Sequence, residues 1–420
     1  MHNLDWFVLI FTLIIIVVYG TWKTRGAKTA NEYIKAGNEA KWWTIGLSVM
    51  ATQASAITFL STPGQAYNDG LGFVQFYFGL PIAIVLVCTI FIPVYHKLKV
   101  YTAYEFLESR FDLKTRSLTA LLFLIQRSLS ASITIFAPAI ILSTVLGWDL
   151  ITTNIIIGTL VIIYTVTGGT KAVNFTQKYQ MGIILIGLVI VLFTIFNLLP
   201  DDIDFNNAVK IASANSKMDV LNFSFDLDNR YTVWSGIIGG TFLMMSYFGT
   251  DQSQVQRYLS GKSLKEMQLG MIFNGIFKIP MQFFILFIGV MVFVFYQFNP
   301  SPLNFNPQGK IIISNTNYEN EYIQLEENLE NNFKEKTYIL NDVLSQDKMV
   351  VKGKIDKLNF EEKKIRDRAK LLIEKAAKEK NEKVETNDKD YVFINFILDN
   401  LPKGLIGLLL AVIISAAMSS

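Results

Sequence analysis

The chain has 420 residues, 51% of them hydrophobic, and a formal charge of +3. So small a charge, with no basic face, excludes nucleic acid as a partner class. One cysteine, Cys88 inside an apolar run, excludes an internal disulfide or thiolate metal site, and His2 and His96 are too peripheral for a histidine-based metal or catalytic centre.

The apolar residues come in unbroken runs of about 20, the length needed to cross about 30 Å of hydrocarbon. Nine spans are predicted, at about 5–21, 44–66, 73–97, 117–146, 150–168, 178–199, 232–256, 266–297 and 403–420. The first is preceded by Asp5 and followed by Lys23, Arg25 and Lys28, without a small-residue cleavage site. It reads as a retained span with its N-terminus outside, rather than a signal peptide. Connections assigned to the inside are basic: Lys35 and Lys41, then Lys97, Lys99, Arg110, Lys114 and Arg116, then Lys171 and Lys178, then Arg257, Lys262 and Lys265. The outer turns near Asn68–Asp69 and Trp148–Asp149 carry no Lys or Arg, so charge and hydropathy agree on the topology.

Span two crowds Ser48, Thr52, Gln53, Ser55, Thr58, Ser61 and Thr62 into a segment that must cross lipid, followed by Pro63–Gly64. Such a helix turns its polar face to protein or to a water-filled cavity, and if it unwinds mid-span its freed carbonyls can ligate a hard cation. The competing reading is small-residue packing, with hydroxyls bonded back to their own helix. Span eight carries Lys278 about 18 Å along its length, near mid-bilayer, where an unpaired charge costs roughly 2.5–3.5 kcal/mol. Span four carries Arg127, which either binds an anion or snorkels to the inner interface. Residues 300–391 form a polar insert rich in Lys, Glu and Asn, in which Ile365, Ala369, Leu372 and Ala376 recur at helical spacing. It reads as a helical hairpin standing off the membrane or as a partly disordered loop. In span nine Ser415, Ser419 and Ser420 put hydroxyls on one helical face, and the chain stops there without a flanking charge. This predicts a fragment from which further spans are missing.

Several motifs occur in order: Met50-Ala-Thr-Gln-Ala-Ser-Ala-Ile-Thr-Phe59, Thr62-Pro-Gly-Gln-Ala-Tyr67, Ile92-Pro-Val-Tyr95, Tyr101-Thr-Ala-Tyr-Glu-Phe-Leu-Glu-Ser-Arg-Phe111, Gly168-Gly-Thr-Lys-Ala-Val173 and Ala416-Ala-Met-Ser-Ser420. In these the chain resembles the sodium:solute symporter family, closest to its monocarboxylate, multivitamin and iodide branch. The resemblance runs through every span and skips the insert. It implies an all-α membrane protein with an inverted-repeat fold of five plus five helices, one extra N-terminal helix, and a second repeat cut short. It implies a sodium site made by the carbonyls of Ala51, Ala54 and Ala416 and the hydroxyls of Ser419 and Ser420. Gln53, Ser55, Thr58, Phe76, Arg127 and Lys278 are the candidate solute-binding residues, Lys278 matching a cavity-lining lysine of sugar symporters. Tyr247 and Phe248 match aromatics of an inner gate. Gln177 departs from the family, which often has an aspartate there associated with a second ion, and the polar residues that read sugars are absent.

The chain is therefore divided into a transporter core over 1–299, a charged extracytoplasmic insert over 300–391 and the start of further core over 392–420. The expected function is sodium-coupled import of a small organic solute by alternating access, in a bacterial inner (plasma) membrane. Sodium is the coupling ion, the solute and the lipid bilayer are the partners, and neither an organic cofactor nor an obligate protein partner is expected. No nucleotide-binding loop suggests a pump, and the spans lack the paired carboxylates or histidines an enzyme needs. The alternative is a membrane sensor in which a transporter-like domain reports solute to a fused module.

Overall fold

A computed structural model describes residues 1–24, 36–226, 228–343, 348–382 and 384–419. Arg25, Lys28 and Lys35, expected in an inner loop, lie outside the described residues. The described chain is predominantly helical. Among the described residues, four helical stretches are long and apolar enough to cross a membrane, Ile57–Leu98, Leu113–Ile140, Thr176–Leu198 and Leu264–Phe298, with shorter apolar helices at Asn3–Ile16, Leu150–Ile163 and Leu405–Ala416.

The first helix, α1 (Asn3–Thr24), leads to a broken pair, α2 (Trp42–Gln53) and α3 (Ala56–Asp69). A 3₁₀ turn over Gly70–Tyr77 is followed by α4 (Leu80–Leu86), a π-helical turn over Val87–Phe91, and α5 (Ile92–Leu98). After the short α6 (Glu105–Arg110) comes α7 (Leu113–Leu146), capped at one end by Asp112 and closed at the other by Gly147 at φ 66°. Helix α8 (Leu150–Leu198) corrects the expectation of two spans at 150–168 and 178–199, because it runs through both without interruption. Its 49 residues make about 73 Å of helix. The physical reason lies in residues 164–178, which contain no proline. Gly168 and Gly169 lower helix propensity by only about 1 kcal/mol each, too little to end it.

Helix α9 (Phe205–Ala214) lies between α8 and the span expected at 232–256. The span expected at 232–256 is also corrected: a π-helical turn at Ser235–Gly239 opens into α10 (Gly240–Gly249), and the chain then turns at Thr250–Asp251 into α11 (Gln252–Leu259). Asp251 supplies the reason, since its carboxylate accepts the Ser253 N–H at 2.8 Å and caps a new helix start. Helix α12 (Leu264–Phe298) is the central post, its middle largely buried. Its glycines let neighbours approach closely. A Cβ on Gly270 would meet the Ile45 side chain and the Trp42 carbonyl, and one on Gly289 would lie 2.2 Å from the Pro63 carbonyl oxygen.

The insert holds α13 (Pro307–Ile313), α14 (Glu319–Val343) and α15 (Lys348–Glu379). Ala369, Leu372 and Ala376 are fully buried and Ile365 partly so, in one seam with Tyr322, Leu329 and Ile313. The insert also grips the core. Asn359 donates to Asn215 at 2.8 Å and Thr337 to the Gln297 carbonyl at 3.0 Å, while within the insert Arg366 donates to Ser301 Oγ at 2.7 Å and to the Pro302 and Leu303 carbonyls. Helices α16 (Lys389–Asn400) and α17 (Leu405–Ser419) complete the described fold. α17 packs on α1, α8, α2 and α3. Asp5, buried at the start of α1, accepts the Gly404 N–H at 2.5 Å and so caps the entry to α17.

Candidate functional site

The break between α2 and α3 falls at Ala54–Ser55. Ala54 has φ −86°, ψ 64°, and Ser55 is extended at φ −68°, ψ 171°. The last bond of α2 runs from Ala54 N–H to the Met50 carbonyl, and the next runs from Thr58 N–H to the Ser55 carbonyl. Among the described residues, the carbonyls of Ala51, Gln53 and Ala54 receive no backbone N–H, and Gln53 O takes only the Thr58 hydroxyl at 3.2 Å. Hydroxyl-rich sequence favours such a break, because Ser and Thr offer the backbone alternative partners. The result is a group of neutral acceptor oxygens in the middle of an apolar bundle, suited to a hard monovalent cation. Among the described residues no cluster of three or more His, Cys, Asp or Glu side chains could hold a metal, so a cation here takes neutral oxygens.

Helix α12 faces this break. Gly270 touches Trp42 and Ile45 below it, and Gly289 touches Pro63 above it. Lys278 lies about 12 Å along the helix from the first contact and about 16 Å from the second, which sets it level with Ala54. Its side chain is 1% exposed, and among the described residues its ammonium has no hydrogen-bond partner, only the Tyr77 ring centroid at 5.9 Å. One turn to either side, Asn274 and Gln282 are both fully buried with both amide atoms unpartnered. Gln53 Oε1 is likewise buried and unpartnered. The buried carboxylates among the described residues, Asp5 and Asp388, are engaged elsewhere, by Gly404 and by Phe305 with Lys370. A buried lysine between two carboxamides, with no carboxylate partner among the described residues, can pair with an anion that carries further hydrogen-bonding groups.

Helix α8 ties the break to α17. Gln177 Nε2 donates to Thr52 Oγ1 at 3.0 Å, and its Oε1 faces the Ser48 hydroxyl at 2.6 Å. Asn174 Oδ1 lies 2.7 Å from the same hydroxyl and accepts from Arg257 at 3.1 Å. Three residues on from Gln177, Gln180 donates to the Ser415 hydroxyl. All these side chains are buried, as is Ala416. Ser419 closes α17, but its side chain and the whole of Ser420 lie outside the described residues.

The remaining candidates fall into two groups. Ser55, Thr58 and Gln53 sit at the break, partly buried. Phe76 stacks on Phe73 at 5.8 Å and meets Tyr77 edge-on, beside the ring that Lys278 covers. Tyr247 takes a hydrogen bond from Gln254 at 2.7 Å and lines a cavity of about 200 Å³ with Gln126, Ser246 and Asp251. Arg127, one residue beyond Gln126 on α7, is partly exposed. Phe248 differs from its neighbour: it is fully buried in the core, where its carbonyl accepts the Tyr258 hydroxyl, so it packs rather than faces a passage. Asn274, Gln282, Asn174 and Gln180 had no assigned role from the sequence. Polar residues at i, i+4 and i+8 around Lys278 in an apolar span were the available signal.

The model of the "Sodium:solute symporter family" matches residues 33–336. The chain is 31% identical over 297 residues to the sodium/iodide cotransporter of Homo sapiens, covering 70% of this chain and 45% of that protein. It is 33% identical over 259 residues to human sodium-coupled monocarboxylate transporter 1, covering 62% and 42%. To the sodium/sialic acid symporter of Proteus mirabilis it is 31% identical over 309 residues, covering 73% and 62%. The match thus spans less than half the length of the two human relatives. A solved structure of a Na⁺-coupled sialic acid symporter in its substrate-bound outward-open state aligns with TM-score 0.70 and 24% identity, covering 100% of this chain and 70% of that one, so the two share a fold.

Proposed function

Because the chain belongs to the sodium:solute symporter family, we propose that the protein is a sodium-coupled symporter that imports a small organic anion by alternating access. The observation that carries the anion reading is Lys278, buried level with the helix break and without a counter-acid among the described residues. Sodium binds the Ala51, Ala54 and Ala416 carbonyls and the Ser419 and Ser420 hydroxyls. The solute's negative charge is taken by Lys278, with Asn274, Gln282, Gln53, Ser55, Thr58 and Phe76 around it. Tyr247 is the inner gate, and Phe248 supports it from the core. Arg127 guides the anion on the cytoplasmic side of that gate.

In this reading the helices follow the inverted-repeat plan with one extra N-terminal helix, α8 standing where that plan has two helices, and the N-terminus and insert face outward. Sodium entry stabilises the outward-open arrangement, the solute binds, the outer passage closes and the inner one opens. The membrane potential adds about 2.3 kcal/mol per charge per 100 mV to the sodium gradient. The named relatives carry iodide, monocarboxylates or sialic acid, all anions, which fits a cationic centre.

The test is uptake by the protein in proteoliposomes, with an inward sodium gradient against a choline control. The panel contains monocarboxylates, sialic acid, iodide, neutral sugars and zwitterionic amino acids. The proposal expects sodium-dependent uptake confined to the anions. Uptake of a neutral sugar in preference to every anion would overturn the assignment of Lys278, and uptake indifferent to sodium would overturn coupling.

A further inference from the structure

We infer that Gln177 and Gln180 are positioning residues that hold the two walls of the sodium site, the broken helix and α17, at a fixed spacing. The inference rests on the sodium site proposed above. The two glutamines stand three residues apart on α8, so their side chains leave one face of that helix a single turn apart. One reaches Thr52, between Ala51 and Ala54; the other reaches Ser415, next to Ala416. Each arm is polar, neutral and buried: Gln177 is 0% and Gln180 3% exposed.

The chemistry at Thr52 requires a carboxamide. Thr52 Oγ1 donates its proton to the Ser48 carbonyl at 2.8 Å, so it can only accept from Gln177. An amide NH₂ supplies that donor, whereas a carboxylate of the same size would set two acceptors face to face. The Arg257 guanidinium holds the neighbouring Asn174 at 3.1 Å, placing a fixed positive charge along the same network. Carbonyl ligands held in place before the ion arrives spare it the cost of ordering them, so the brace sets sodium affinity through preorganisation.

The experiment is a sodium titration of the purified protein, with sodium chloride replacing choline chloride, read as the midpoint of the rise in unfolding temperature. Gln177→Glu, Gln177→Asn and Gln180→Leu are compared with wild type; the Asn variant keeps the amide but falls one methylene short. Each is expected to raise the sodium midpoint about fivefold, the equivalent of one lost buried hydrogen bond, and Gln177→Asn combined with Gln180→Leu to raise it further. A brace that served stability alone would lower the unfolding temperature in both salts and leave the midpoint unmoved, which would overturn the inference. So would a lowered midpoint in Gln177→Glu, which would make position 177 an ion ligand. Wild type without any sodium response would instead bring down the proposed sodium site itself, a result distinct from unmoved variants. If Gln177→Glu fails to fold, Gln177→Asn and Gln180→Leu decide the matter.

Discussion

Lys278 concentrates the argument at the scale of single residues. A charged-group hydrogen bond contributes about 1.5–3 kcal/mol, so Lys278→Met should raise the half-saturating concentration of an anionic solute roughly tenfold to a hundredfold. The same change should leave thermal stability unchanged or increased, because it removes a buried ammonium that has no partner among the described residues. A substituted protein with wild-type solute affinity would contradict the anion role. Lys278 was legible in the sequence because a lone cation in an apolar run stands out. Its amide neighbours were less so, since Asn274 and Gln282 gain meaning only when their burial and lack of partners are known. Tyr247 and Phe248 illustrate the limit: adjacent in sequence, they point to different surroundings, and only the turn of α10 decides which faces a cavity.

At the scale of elements, the interface between α12 and the broken helix fixes the height of the site. A Cβ on Gly289 would sit 2.2 Å from the Pro63 carbonyl oxygen, which belongs to backbone and cannot rotate aside. Gly289→Ala should therefore lower stability by about 1–3 kcal/mol, measured by thermal unfolding. Gly182→Ala in α8 is the contrasting case, because nothing lies within 4 Å of the added carbon. It should be neutral or stabilising by up to about 1 kcal/mol. Equal effects of the two would contradict the close packing. The unwinding at Ala54–Ser55 was foreshadowed by the density of hydroxyls in span two. The fusion of two spans into α8 and the turn at Thr250–Asp251 were not, because hydropathy measures how long a run is apolar and says little about whether the backbone continues.

At the scale of the whole molecule, the insert is bolted to the C-terminal end of the broken helix. Lys389 pairs with Asp69 at 3.1 Å and the Gly64 backbone lies against the Lys389 carbonyl, while Lys217, outside the insert, donates to the Asn68 carbonyl at 2.5 Å. Within the insert Glu362 joins Lys336 at 3.2 Å and Arg366 at 2.9 Å. Burial pushes the Glu362 carboxyl up, but Lys336 and Arg366 outweigh it and hold the group down at about 2. A depressed folded value means this contribution is complete above the ordinary value of 4.5 and is lost as pH falls towards 2. Hydrogen-exchange protection in α14 and α15, corrected for intrinsic rates, should fall over that interval. Glu362→Gln, by leaving two cations without their acid, should lower that protection already at neutral pH and flatten the acid response. The helical periodicity of the insert could be read from Ile365 to Ala376, but its grip on the core comes from contacts distant in sequence.

The central claim is that sodium and an organic anion occupy adjoining sites built on one broken helix. Two such sites must be linked reciprocally: if sodium raises solute affinity by some factor, the solute raises sodium affinity by the same factor. The most direct measurement is therefore a pair of binding titrations on the purified protein, solute at zero and saturating sodium, then sodium at zero and saturating solute. The account predicts equal enhancements, roughly fivefold or more, that vanish together for the solute in Lys278→Met. Tight solute binding that ignores sodium, with sodium binding that ignores the solute, would contradict it.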